Sequence, residues 1–159
     1  MAIIVEDGST VANSNSYVST ATLDAYATAR GVTIPSANQE MYLILAMDYL
    51  EQINYIGRKQ LSTQSLQWPR YQVWIDTYPL TANTIPRELI NAQCEVALSI
   101  YNGNDPLQDR PRSVSSEKVG QIEVHYQTGT SSIVLPVKIN YMLQKLIAGG
   151  SNGITVSKG

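Results

Sequence analysis

Two sets of residues in this chain have types and spacings that could do chemistry: carboxylates at helical spacing, and aromatics interleaved with cations. Asp48 with Glu51, and Glu88 with Glu95, recur one or two helical turns apart, where a pair could work as acid and base or hold a divalent cation. The same spacing is that of ordinary salt-bridging residues on a solvated helix face, and nothing nearby completes a catalytic set. The one histidine, His125, alternates with Glu123 along a strand-like stretch, and the one cysteine, Cys94, lies inside an apolar helical run. One of each is too few for the usual zinc or haem ligand sets. Phosphate-loop, dinucleotide and nucleophile-elbow patterns are absent. The glycine-rich run Gly149-Gly150-Ser151-Asn152-Gly153 precedes no helix and reads as a tail, not a phosphate cradle. These residues predict no enzyme, no cofactor and no metal site.

The second set has the ingredients of single-stranded DNA binding, which needs aromatic faces for bases and cations for phosphates. Ten tyrosines and two tryptophans supply the faces. The cations are Arg58-Lys59, Arg70, Arg87, Arg110 and Arg112, scattered along the chain, and eleven basic residues are matched by thirteen acidic ones. A net charge of −2 gives no long-range attraction to nucleic acid or to an acidic membrane. Most of the tyrosines also fall at helical spacings that make them core or interface.

The elements that position these residues centre on Ile85 to Leu98. Pro86 suits a helix start, Glu88 favours the positive end of its dipole, and Asn102-Gly103-Asn104 before Pro106 closes the helix. Glu88, Asn91, Glu95, Ser99 and Asn102 form one polar stripe, and the other faces are apolar, so the helix is central. The segment Trp68-Pro69-Arg70 cannot continue a helix, and with Pro86 it is expected to anchor a loop against that helix. Upstream, residues 1–18 read as an extended arm, and Ser19 caps a short helix ending at Gly31.

A second helix, from about Asn38 to Ile53, carries two apolar stripes, so Tyr42, Leu45 and Tyr49 are candidates to face a neighbouring subunit, together with Trp74 from the long loop 71–84. Downstream, Ser116 to Tyr126 shows a hairpin bending at Gly120, with Ile122, Val124 and Tyr126 on one face. Ser131 to Leu135 is a further extended piece. Pro136 opens a last helix whose stripe includes Ile139, Met142, Leu143, Leu146 and Ile147. Residues 1–148 read as one domain, mainly α with some β: a bundle of about four helices, a β-hairpin and extended N- and C-terminal arms. Residues 149–159 have the composition of a flexible linker. There is no disulfide pair, no membrane-length apolar run and no basic leader ahead of Glu6-Asp7, so neither a membrane partner nor passage through the secretory route is expected.

Several runs, in order, resemble a family: Asn15-Ser16-Tyr17-Val18-Ser19, Ala29-Arg30-Gly31, Ala46-Met47-Asp48-Tyr49-Leu50, Gln67-Trp68-Pro69-Arg70, Ile85-Pro86-Arg87, Ala92 to Leu98 and Ser116-Glu117-Lys118-Val119-Gly120. Together they resemble the adaptor, or head-completion, proteins of tailed-phage head–tail connectors, sequences also described as DnaT-like single-stranded-DNA-binding proteins. The resemblance implies a structural virion protein that forms a homo-oligomeric ring, twelvefold to match the portal under which it docks. Its partners would be the portal and the next neck or tail-completion protein. Genomic DNA would pass through the lumen without specific binding, and assembly would take place in the bacterial host cytoplasm. The C-terminal part would meet the portal, through Ile139, Met142, Ile154, Val156 and Lys158. The alternative is a DnaT-like single-stranded-DNA-binding protein of phage replication. Two places depart from the pattern: Tyr55 to Leu61 lacks a tryptophan, and loop 71–84 is long and carries Trp74.

Overall fold

The computed structural model describes residues 2–107, 116–119, 122–125 and 137–148, the two short strand segments by their backbone alone. The described residues form four helices, α1 (Thr20–Thr28), α2 (Ser36–Leu50), α3 (Arg87–Tyr101) and α4 (Val137–Leu143). Three two-stranded antiparallel ladders accompany them, β1 (Arg58–Lys59) with β2 (Arg70–Tyr71), β3 (Trp74–Ile75) with β4 (Tyr78–Pro79), and β5 (Ser116–Val119) with β6 (Ile122–His125). The protein is a small, mainly helical α+β fold, as the periodicities predict.

The helices start and stop for local reasons. Ser19 accepts a hydrogen bond from the Thr22 N–H, satisfying one of the donors left open at the start of α1. Pro86 sits one residue ahead of α3, and its carbonyl accepts from the N–H groups of Leu89 and Ile90. The second helix begins at Ser36, ahead of the expected Asn38, and ends at Leu50, short of Ile53. There Gln52 and Ile53 donate to carbonyls only three residues back, tightening the chain out of the helix.

Helix α3 packs against α2, α1 and α4, and its buried face carries Leu89, Ala92, Cys94, Val96, Ala97 and Leu98. The stripe expected to be polar, Glu88, Asn91, Glu95, Ser99 and Asn102, stays partly or fully exposed. One polar side chain on the buried side is an exception that apolar periodicity does not reveal. Gln93 is fully buried; its Oε1 accepts from the Tyr17 N–H at 2.9 Å, and its Nε2 donates to Ser16 Oγ at 2.8 Å and to the Leu43 carbonyl at 3.2 Å.

That clamp corrects the expectation of an extended N-terminal arm. Residues 2–18 fold back on the chain: Glu6 N–H donates to the Ser16 carbonyl and Asn15 N–H to the Ile4 carbonyl. The Glu6 carboxylate, buried inside the loop, accepts from the N–H groups of Gly8, Thr10 and Val11 and from Ser14 Oγ. Gly8 has φ +103°, and a Cβ there would lie 2.0 Å from the Asn83 carbonyl oxygen, so only glycine allows the loop to close on that neighbour. Small polar residues that read as turns in sequence are spent satisfying one buried carboxylate.

Two further differences concern the middle and end of the chain. Loop 71–84 contains the β3–β4 ladder, whose two connecting residues, Asp76 and Thr77, both have positive φ. The tight hairpin escaped notice because neither is glycine or asparagine. The last helix ends at Leu143, before the expected Ile147. The chain beyond it pairs with the segment after α2: Ile56 N–H donates to the Leu146 carbonyl and Ala148 N–H to the Asn54 carbonyl. In the β5–β6 pair, Val119 lies opposite Ile122 and Ser116 opposite His125, the expected hairpin register. Gly120, Ser131 to Leu135 and the tail 149–159 lie outside the described residues.

Replacing Gln93 by Ala strands the buried Tyr17 N–H, and it should cost about 1–3 kcal/mol. Chemical denaturation of the variant checks this; an unchanged midpoint would mean that the N-terminal segment is not held by Gln93.

Candidate interaction surface

The best-connected polar site in the chain lies where the Trp68 segment meets the end of α2. Trp68 is fully buried, is joined to Pro69 by a cis peptide bond, and meets the Tyr55 ring edge-on with centroids 5.9 Å apart. Arg70 is buried with it, and its guanidinium is shared among backbone carbonyls. Nε donates to Ile56 O at 2.7 Å, Nη2 to Gly57 O at 2.9 Å and Tyr55 O at 3.3 Å, and Nη1 to the Gln67 carbonyl and side-chain oxygens. Only a planar fork with several donors satisfies so many acceptors. Gly57, φ +72°, brings the backbone so close that a Cβ would lie 2.5 Å from the Tyr71 carbonyl oxygen. Pro69 and Pro86 are buried as well.

Glu51, the residue capping α2, ties this segment to the N-terminal one. Its Oε1 accepts from Tyr17 OH at 3.1 Å and from the Gln67 N–H at 3.0 Å, and Tyr17 OH accepts from the Trp68 N–H at 3.1 Å. Burial raises the Glu51 carboxyl above its usual range, outweighing those hydrogen bonds and the nearby Lys59 and Arg70. Burial, with the Glu51 charge second, pushes the Tyr17 hydroxyl well above the ordinary tyrosine range. The site holds segments together and has no exposed nucleophile or base. Burial likewise pushes the Cys94 thiol up to about 12, leaving it a packing group.

Of the carboxylates spaced for chemistry, Glu51 and Glu95 are engaged by neighbouring groups. Glu95 accepts from Tyr26 OH at 3.1 Å and pairs with Lys138 of α4; Arg30 lies 4.0 Å from it and stacks on the Tyr26 ring. Burial and that carboxylate raise the Tyr26 hydroxyl to about 12. Asp48 is exposed, away from the buried partners of Glu51. Among the described residues no group of three or more His, Cys, Asp or Glu could hold a metal ion, and no helix is long and apolar enough to cross a membrane.

What the surface does offer is aromatic and apolar. Beyond Arg70 the chain emerges as Tyr71, whose cross-strand partner is the exposed Arg58. The β3–β4 ribbon then presents Trp74, 61% exposed, and Tyr78, 76% exposed. Lys145, beyond α4, pairs with Asp76 at the tip of this ribbon. On α4 itself Val137 and Tyr141, one turn apart, are 72% and 67% exposed. A third group lies at the other end of α3: Met41 and Leu107 are exposed, and Tyr42 packs edge-on to Tyr101 at a centroid distance of 5.6 Å.

The residues expected at partner contacts therefore divide. Trp74 is exposed, Tyr42, Leu45 and Met142 are half-buried, and Tyr49 and Ile139 are buried in the chain's own core. Those last two correct the expected sites: a side chain with no exposed surface has none to give a neighbour, and periodicity alone does not say which apolar stripe faces inward. On α4 the exposed apolar residues are Val137 and Tyr141, which the stripe reading passed over. Ile154, Val156 and Lys158 lie outside the described residues.

The fold is a small α+β body with a buried polar tie and exposed aromatics. The chain belongs to a known family: residues 1–158 match the family described as "Putative DnaT-like ssDNA binding protein". No curated protein and no solved structure matches it.

Two outcomes follow from the buried site. Trp68→Ala should destabilise the protein by about 3–5 kcal/mol, read as a lowered midpoint in denaturant. Because the folded state raises the Glu51 carboxyl, its proton is held more tightly folded than unfolded. The stability it contributes is full below the usual carboxylate range and lost as pH rises through the folded value. Glu51→Gln should therefore lose less stability than the wild type between pH 4.5 and 7; parallel melting-temperature curves for the two would contradict the assignment.

Proposed function

We propose that the protein is a structural adaptor of a tailed-phage head–tail connector, a ring of identical subunits that docks under the portal, extends the DNA channel and carries the next neck or tail-completion protein. The observation that carries this reading is the set of exposed apolar side chains on different elements: Trp74 and Tyr78 on the β3–β4 ribbon, Met41 and Leu107 at the far end of α3, Val137 and Tyr141 on α4. Closed rings are built from heterologous contacts, in which one surface meets a different surface of the next copy. A subunit that must also bind a portal and a neck protein needs more than two such surfaces. The ordered sequence resemblance supports the same reading, and a net charge of −2 suits a lumen that DNA traverses without being gripped.

The second reading is single-stranded DNA binding in phage replication. The family's description favours it over the adaptor reading, and Tyr71, Trp74 and Tyr78 beside Arg58 and Lys59 supply a stacking surface with cations. Among the described residues Arg58 and Arg87 are exposed, and the other cations are mostly engaged. Arg70 is spent on carbonyls, Lys138 and Lys145 pair with Glu95 and Asp76, and Lys59 is half-buried next to Glu51. Two phosphate contacts per subunit would give a salt slope of only about −1.4 in log K against log salt.

Titrating a labelled oligothymidine with the protein at increasing salt separates the two. The adaptor reading expects weak binding that disappears near physiological salt. Submicromolar affinity there, abolished by replacing Arg58, Lys59 and Trp74, would establish the second reading in its place.

A further inference from the structure

We propose that the β3–β4 ribbon of one copy seats head-to-tail on the Met41–Leu107 end of a second copy, an inference that rests on the ring reading and names its subunit interface. Two groups of exposed apolar side chains sit at opposite ends of α3. The ribbon lies beside its start, since only residues 80–85 separate Pro79 from Pro86. Leu107 follows its end, and Tyr42 reaches that end through Tyr101. Fifteen residues of helix separate the two by about 22 Å, so a single copy cannot bring them together.

Their chemistry is complementary. The ribbon end offers Trp74 and Tyr78, flanked by the exposed Arg58 and Arg87. The opposite end offers Met41 next to the half-buried Tyr42, and Leu107 beyond Tyr101 with Asp105, whose carboxylate accepts from the Leu107 N–H. Aromatic and arginine side chains on one side against an apolar, acid-flanked surface on the other is the make-up of a protein–protein hot spot. Methionine and the Tyr42–Tyr101 edge pair form a surface that adapts to an inserted indole. The surfaces differ, so after one pairing the dimer keeps one of each free, and the contact propagates until the ring closes.

The ribbon has also been shaped at a cost. Gln72, Asp76 and Thr77 all have positive φ, and for β-branched Thr77 that conformation is unfavourable. The result is a narrow ribbon that presents Trp74 and Tyr78 outward.

The test uses the full chain carrying Trp74→Cys and Met41→Cys, treated with a short bismaleimide; Cys94 is buried and stays silent. The interface predicts a ladder of covalent dimers, trimers and higher species from the double variant, and no more than dimers from either single variant. In parallel, Trp74→Asp should weaken self-association about thirtyfold or more, as for a central aromatic, with an unchanged melting temperature because Trp74 is exposed. If the protein assembles but yields no ladder, and Trp74→Asp leaves its mass unchanged, this interface is wrong while the ring reading stands. If the chain stays monomeric up to millimolar concentration and also after mixing with portal rings, the interface and the ring reading fall together.

Discussion

Tyr17 is the residue through which the separate segments of this protein are joined. Its backbone N–H is held by Gln93 of α3, and its hydroxyl lies between the carboxylate of Glu51 at the end of α2 and the N–H of Trp68. Four stretches distant in sequence thus meet on one residue. Each polar group at the junction is buried or nearly so, where an unmatched donor or acceptor costs more than a matched one contributes. The junction therefore enforces geometry: it sets where the Trp68 segment leaves the core, and Arg70 then fixes the backbone of Tyr55 to Gly57 against it. The exposed Tyr71, Arg58 and β3–β4 ribbon follow directly from that exit.

Much of this fold is legible in the residues. Ser19, Pro86 and Asn102-Gly103 mark helix ends by local chemistry, and the stripe on α3 identifies the central helix because burial follows apolar periodicity. The polar core is not legible in that way. Gln93, Glu6 and Tyr17 look like surface residues by type; the fold supplies Gln93 and Tyr17 with partners 34 to 77 residues away, and the loop closing on Glu6 supplies its carboxylate with partners two to eight residues away. The β3–β4 turn was hidden because Asp76 and Thr77 adopt a conformation that sequence rules reserve for glycine and asparagine. Of the interaction residues, Trp74 could be singled out because a long loop with a tryptophan is unusual. Tyr49 could not be separated from Tyr42, since both lie on apolar stripes of α2 and only packing decides which is consumed by the core.

The surface bears on function through what its cations are doing. Among the described residues, Arg70 is drawn into a carbonyl cluster and Arg30, Lys138 and Lys145 into ion pairs, whereas Arg58, Arg87 and several tryptophan and tyrosine side chains are left outside. Exposed ion pairs such as Lys145 with Asp76 add little stability, but they orient the ribbon and reduce its net positive charge. A surface of this kind is suited to apolar contact with proteins more than to tracking a polyanion.

The most direct test of that account is the native mass of the full chain, measured alone and after mixing with portal rings. The account predicts a closed oligomer of one stoichiometry, alone or bound to the portal at a fixed ratio of subunits. A protein that remains monomeric in both conditions, and shifts in mass only when single-stranded DNA is added, would contradict it.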